Sequence, residues 1–161
     1  MNQDLISFLL FQLGEVINLK IPLSIILIED NLADIELFKY ILKDFEYPYQ
    51  FIPINQFEQA KSFISDLQNF TEHSQKRIFF IDLNLRSMDG LQLLEQLKKN
   101  PKTSAIPIII TTTSESDKDI YNVYRNYANC YLLKSPEFDD YHQKIIKALE
   151  FWTETCILPD T

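Results

Sequence analysis

Cysteine is scarce in this chain: Cys130 and Cys156 are the two among 161 residues, and they stand far apart. That excludes a disulfide-dense scaffold and a cysteine-framed metal knot, and a reduced, cytoplasmic setting is the simpler expectation. Positive charge is also short, with 15 Lys and Arg against 23 Asp and Glu and a formal net charge of −8. A grip on nucleic acid depends on clustered Lys and Arg that displace phosphate counterions, so none is expected. An acidic surface suits cationic partners instead, metal ions included. There is no internal repeat, no low-complexity segment and no long unbroken hydrophobic run. The most apolar stretch, "LISFLLFQLGEVINLKIPLSIILI", is bounded or interrupted by Asp4, Glu15, Lys20 and Pro22. No basic region precedes it and no small-residue cleavage site follows, which argues against a membrane span or a signal peptide. Leu5, Leu9, Leu13 and Val16 or Ile17 recur at helical spacing, so residues 3 to 18 are expected to form an amphipathic helix packed on its own domain or a partly disordered extension, the rival being a helix for a partner or a membrane surface. Glycine is rare too, and one of the two, Gly90, ends the stretch "FFIDLNLRSMDG".

What is present is apolar bulk in an alternating order. At 46% hydrophobic, the chain has enough to build one domain with a real core. "SIILIED" is a run of consecutive apolar residues, as expected of a strand covered on both faces of a parallel sheet. "NLADIELFKYILKDF" follows at helical period, with Ile35, Phe38, Leu42 and Phe45 on one face. "YQFIPIN" is a second strand candidate, which Pro53 would place at a sheet edge or end early. "QFEQAKSFISDLQNF" is a second helix, "RIFFIDL" a third strand, and Gly90 to Asn100 a third helix. "IPIIITTT", "SESDKDIYNVYRNYA" and "NCYLLK" continue as strand, capped helix and strand. Residues 139 to 153 form the last helix, with Tyr141, Ile145, Ala148 or Leu149 and Trp152 on one face. Five strand–helix units predict an α/β fold, a flavodoxin-like (βα)5 doubly wound five-stranded parallel sheet of order 2-1-3-4-5. The expected boundaries are an extension over 1–22, the domain over 23–153 and a tail over 154–161.

In such a sheet the ligand site lies at the carboxyl ends of the strands. There the chain places Glu29 and Asp30 after strand 1, Asp82 after strand 3, Thr111 to Thr113 at strand 4 and Lys134 after strand 5. Packed carboxylates oppose one another's ionisation, and a hard divalent cation such as Mg²⁺ relieves that repulsion through oxygen ligands. The set predicts a Mg²⁺ pocket able to receive a phosphoryl group. Asp82 would be the nucleophile, Lys134 would neutralise the transferring oxygens, and Thr112 would donate to one of them.

"ILIEDN", "FFIDLNLRSMDG", "IPIIITTT" and "CYLLK", in that order, resemble the receiver domain of two-component response regulators, over residue 23 to about 150. "IEDNLAD", "DLNL", "TTS", "NCYLLKS" and the tail "FWTETCILP" look most like the single-domain regulators paired with cyanobacterial and other bacterial phytochromes. The resemblance implies that Asp82 accepts phosphate from a sensor histidine kinase of phytochrome type. It implies that Asp30 and Asp82 hold Mg²⁺ with the backbone carbonyl of Asn84, Glu29 acting through water. It also makes Thr112 the switch hydroxyl, Lys134 the conserved lysine and Tyr131 an aromatic that turns inward when Thr112 moves. A receiver catalyses only its own phosphorylation and dephosphorylation, so no enzyme is implied. About eleven residues follow the receiver, too few for an effector domain, so output is expected through contacts, with a homodimer formed by aromatics among Tyr121, Tyr124, Tyr127, Tyr131, Phe138, Tyr141, Phe151 and Trp152.

The chain departs from the family pattern at Arg86 and Ser135, each where many receivers have Pro, and at Asn55-Gln56, which replaces an Asp-Gly strand end. A Lys134–Ser135 bond is expected to be trans, with Pro136 marking the turn. Two rival readings are an Asp-nucleophile phosphatase and a pseudo-receiver that takes no phosphate. Many such phosphatases carry a second Asp two residues after the nucleophile as general acid, and Asn84 stands there, unable to transfer a proton.

Overall fold

The computed structural model describes residues 22–69, 75–86 and 89–161. The helix expected over 3 to 18 lies outside the described residues. Strands β1 (Leu23–Ile28), β2 (Tyr49–Ile54), β3 (Lys76–Asp82), β4 (Ile108–Thr112) and β5 (Cys130–Leu133) alternate with helices α1 (Leu32–Ile41), α2 (Phe57–Asn69), α3 (Gly90–Lys99), α4 (Asp117–Arg125) and α5 (Phe138–Glu150). All strands pair in parallel, in the order β2-β1-β3-β4-β5 expected from the alternation.

Consecutive apolar residues are what a two-faced sheet demands, because successive side chains point to opposite sides. In β1, Ile25 and Leu27 join Phe38, Ile41, Phe80, Ile145 and Leu149 in the core beneath α1 and α5. Ile26 and Ile28 turn the other way, into a core with Ile64, Phe79, Ile81, Leu94, Ile110 and Val123 beneath α2, α3 and α4. Each such fully buried side chain contributes about 1.5 to 3 kcal/mol of transfer free energy, which is what fixes the strands rigidly enough to aim the residues at their ends. Of the two expectations for Pro53, the edge position is the one found: it sits within edge strand β2, opposite Leu27.

Polar side chains start the helices. Asn31 accepts from the Ala33 N–H at 3.0 Å to cap α1, and Asp89 accepts from the Leu91 N–H at 2.8 Å to cap α3. Asp89 and Gly90 are therefore the turn into α3. The helix ends were less legible: α4 stops at Arg125, three residues before its periodicity runs out, and Tyr127 enters the left-handed region at φ 65. The last helix passes into a π turn over Phe151–Thr155. The tail then returns beneath the sheet, with Leu158 buried in the first core and the Thr161 N–H donating to the Gln75 carbonyl at 3.0 Å.

Tyr127 allows a direct test of this helix end. Its side chain is 77% exposed, so little packing offsets the left-handed backbone that a Cβ disfavours. Tyr127→Gly is expected to raise stability by about 0.5 to 1 kcal/mol, the relief being larger than the entropy that glycine adds to the unfolded chain. Urea denaturation checks this, and a loss of stability would show that the ring holds the helix end.

Candidate functional site

The register brings the strand ends together at one rim. Ile28 pairs with Ile81, so Glu29 follows beside Asp82, and Asp82 pairs with Thr111. The Lys134 N–H continues the ladder past β5 by donating to the Thr112 carbonyl at 2.7 Å. At this rim one ammonium meets three carboxylates. Lys134 Nζ donates to Glu29 Oε2 at 2.6 Å, Asp34 Oδ2 at 2.8 Å and Asp82 Oδ2 at 3.0 Å.

Burial sets the electrostatics. Glu29 is 2% exposed, and desolvation pushes its carboxyl up to about 6 despite the bond and charge of Lys134, with the Asp82 charge adding to the rise. Burial alone would lower Lys134, but its hydrogen bonds to Asp34 and Glu29 and the charges of Asp82 and Glu29 outweigh that and hold it above its ordinary range. The Tyr141 phenol, buried below the cluster, is raised by desolvation. Thr111, beside Asp82 in register, carries a buried hydroxyl without a hydrogen-bond partner among the described residues.

Glu29, Asp82 and Lys134 thus meet at this rim with Thr112 close by, and Asp34 joins them unannounced. Its carboxylate stands in the first turn of α1, where an acid is favoured simply by the helix dipole, so its position alone carried no distinctive signal. Asp30 stands outside that ion-paired cluster: its Oδ2 accepts from the Arg86 N–H at 2.7 Å and ties the β1–α1 loop to the β3–α3 loop. Arg86 therefore has a structural part through its main chain, which the sequence did not show.

Asn84 bridges two groups. Its N–H donates to Asp82 Oδ1 and its Nδ2 to Thr112 Oγ1, each at 3.0 Å. Tyr131 is half-buried, its hydroxyl donating to the Ser114 carbonyl at 2.8 Å. The ring is thus already turned in toward the end of β4. No cis peptide occurs among the described residues, so Lys134–Ser135 is trans, and Ser135 Oγ accepts from the Glu137 N–H at 3.2 Å in the turn at Pro136.

The donor set fits a hard cation. Oxygens of Glu29, Asp34 and Asp82 all lie within 4.8 Å of one another, and their charge exceeds what Lys134 neutralises.

On the flank, Tyr121, Tyr124, Tyr127, Phe138 and Phe151 are exposed, while Tyr131 and Trp152 are half-buried. Tyr141 corrects the expected surface set: at 5% exposed it is a core residue, because the face of α5 that carries Ile145 and Leu149 turns it inward. An apolar groove of about 560 Å³ runs along the edge strand β5, lined among others by Tyr131, Leu133, Phe151 and Trp152. Among the described residues no helix is long and apolar enough to cross a membrane.

Comparison with known proteins agrees with this geometry. The chain is 31% identical over 138 residues to Response regulator Rcp1 of Synechocystis sp., a match covering 86% of this chain and 94% of that protein. The crystal structure of the phosphorylated cyanobacterial phytochrome response regulator RcpA superposes with a TM-score of 0.76 at 30% identity, over 85% of this chain and 98% of RcpA. The Mn²⁺-bound form of Rcp1 does so with a TM-score of 0.73 at 32% identity, over 86% of this chain and 99% of that one. The family model of the response regulator receiver domain matches residues 25–146. With strand order, acidic rim and lysine all in agreement, the chain belongs to the response regulator receiver domain family.

Proposed function

We propose that Asp82 accepts a phosphoryl group from the phosphohistidine of a phytochrome-type sensor kinase, in a magnesium-dependent reaction in the cytoplasm. The observation that carries this reading is Asp82 itself, a carboxylate only 7% exposed at the open end of the central strand, with an ammonium 3.0 Å from its Oδ2. An Asp82 oxygen attacks phosphorus as the P–N bond to the donor histidine breaks, leaving an acyl phosphate on Asp82 and the electron pair on the imidazole. Lys134 sits where it neutralises charge on the transferring oxygens. Glu29, Asp34 and Asp82 would hold the Mg²⁺, with Asp30 and the Asn84 carbonyl as further ligands and Glu29 acting largely through water. When bound, the metal supplies the remaining positive charge that phosphoryl transfer needs.

The same reading assigns output to protein contacts. The exposed tyrosines of α4 and the β5 groove form the surface for a homodimer, whose strength responds to phosphorylation through Thr112 and Tyr131. The relatives support the assignment in kind: RcpA was crystallised phosphorylated and Rcp1 with Mn²⁺ bound.

Incubation with acetyl phosphate and Mg²⁺, followed by intact mass, tests it. One phosphoryl adduct is expected in the wild type, dependent on Mg²⁺ and absent from Asp82→Asn. An adduct that persists in that variant overturns the assignment of Asp82. No adduct at all makes the protein a pseudo-receiver, and sustained release of phosphate from unrelated monoesters makes it a phosphatase.

A further inference from the structure

An unbroken chain of hydrogen bonds leads from Asp82 to Tyr131, and Asn84 is its first link. The Asn84 N–H holds Asp82 Oδ1 and its Nδ2 holds Thr112 Oγ1, both at 3.0 Å. The same Thr112 oxygen accepts from the Ser114 N–H at 3.1 Å. Ser114 in turn accepts the Tyr131 hydroxyl on its carbonyl at 2.8 Å and donates its own hydroxyl to Asp119 Oδ2 at 2.6 Å, in the first turn of α4. Thr112 is 0% exposed, so its two donors fill both acceptor sites of an oxygen that no solvent reaches.

The function proposed above has Thr112 drawn toward a phosphoryl oxygen on Asp82, with Tyr131 following. In the structure Thr112 is already bonded to the loop that carries Asp82, and Tyr131 is already docked on Ser114. We infer that Asn84 is a positioning residue whose side-chain amide holds the Thr112–Tyr131 pair docked before any phosphoryl group arrives. For its link to signalling, this rests on the function proposed above.

A primary amide suits that task. Its Nδ2 has two N–H donors, so one holds Thr112 while the other is free to turn toward a phosphoryl oxygen. It also carries no charge to oppose an incoming anion, as a carboxylate at this position would. Phosphorylation then tightens an arrangement already populated, and the signal is a shift in the docked fraction. One neutral hydrogen bond corresponds to a shift of roughly fivefold in that ratio.

Fluorine NMR on the full chain labelled with 3-fluorotyrosine reads this ratio, with Tyr131→Phe assigning the resonance. Asn84→Ala removes the amide, and Asn84→Leu removes it while keeping the volume. In both, the docked-to-undocked ratio of Tyr131 is expected to fall about fivefold, seen as movement toward the solvent-exposed position. Thr112→Val is expected to produce the same displacement, and combining it with Asn84→Ala to add nothing further. Acetyl phosphate and Mg²⁺ should shift Tyr131 further toward its docked position in the wild type, and should return Tyr131 of Asn84→Ala toward that position from its displaced start. A Tyr131 resonance unmoved in both Asn84 variants overturns the inference, as does full additivity with Thr112→Val. The comparison of variants needs no phosphodonor, so a wild type that never takes phosphate sinks the proposed function while the role of Asn84 is still decided.

Discussion

Replacing Gly90 with alanine is expected to destabilise the protein by about 2 to 3 kcal/mol and to disturb Asp82, the proposed phosphoacceptor, with it. A Cβ at Gly90 would stand 2.2 Å from the Asp82 carbonyl oxygen and 2.8 Å from the Leu83 Cα. Both are backbone atoms, held by the sheet and by the Gly90 N–H, which donates to the Leu83 carbonyl at 3.3 Å. No flexible side chain is available to yield, so either α3 or the loop after β3 must shift. Alanine is the better helix former, but that preference is worth only about 0.5 to 1 kcal/mol and does not offset the clash. The loop that would move is the one that carries Asn84. Loss of phosphoryl acceptance is therefore expected at temperatures where the variant is still folded. Urea melts and the acetyl phosphate reaction check both parts, and a cost below 1 kcal/mol would mean that the helix start slides freely.

Gly90 also shows how far the sequence could be read. Its place after Asp89 marked a turn, but the need for glycine comes from the Asp82 carbonyl, eight residues back, a contact created only when α3 closes over β3. The strands themselves were plain, because burial on both faces writes consecutive apolar residues into the chain. Glu29, Asp82, Thr112 and Lys134 were plain because a parallel sheet gathers its strand ends. Asp34 was not, since a helix places it there and an acid in a first turn has an ordinary explanation. Asp30 was legible only in part: its strand end marked it as a candidate ligand, while the bond from the Arg86 N–H to its Oδ2 comes from a loop that only the fold brings near. Tyr127 and the π turn at Phe151–Thr155 were out of reach, because hydrophobic period continues where the backbone has already left the α-helix.

Lys134→Met, which keeps the length of the side chain and removes its charge, is expected to cost about 3 kcal/mol at pH 8 without metal. Among the described residues Lys134 is the cation ion-paired with Glu29, Asp34 and Asp82. Asp34 is one-third exposed and water screens its share, so most of the cost falls on Glu29 and Asp82. The pH dependence identifies the cause. Lys134 has a raised pKa in the folded state, so its own contribution is fully present below the unfolded value of 10.5 and constant between pH 5 and 8. Glu29 is raised to about 6 from 4.5 and penalises the fold, the penalty being absent below about 4.5 and complete above about 6. Without Lys134 its carboxyl rises further, so the penalty grows and reaches to higher pH. The stability gap between wild type and variant must then close as pH falls from 8 toward 5, when Glu29 takes up a proton in place of its lost partner. Denaturant melts across that range measure it, and a gap that stays constant would show that Glu29 does not depend on Lys134 for compensation.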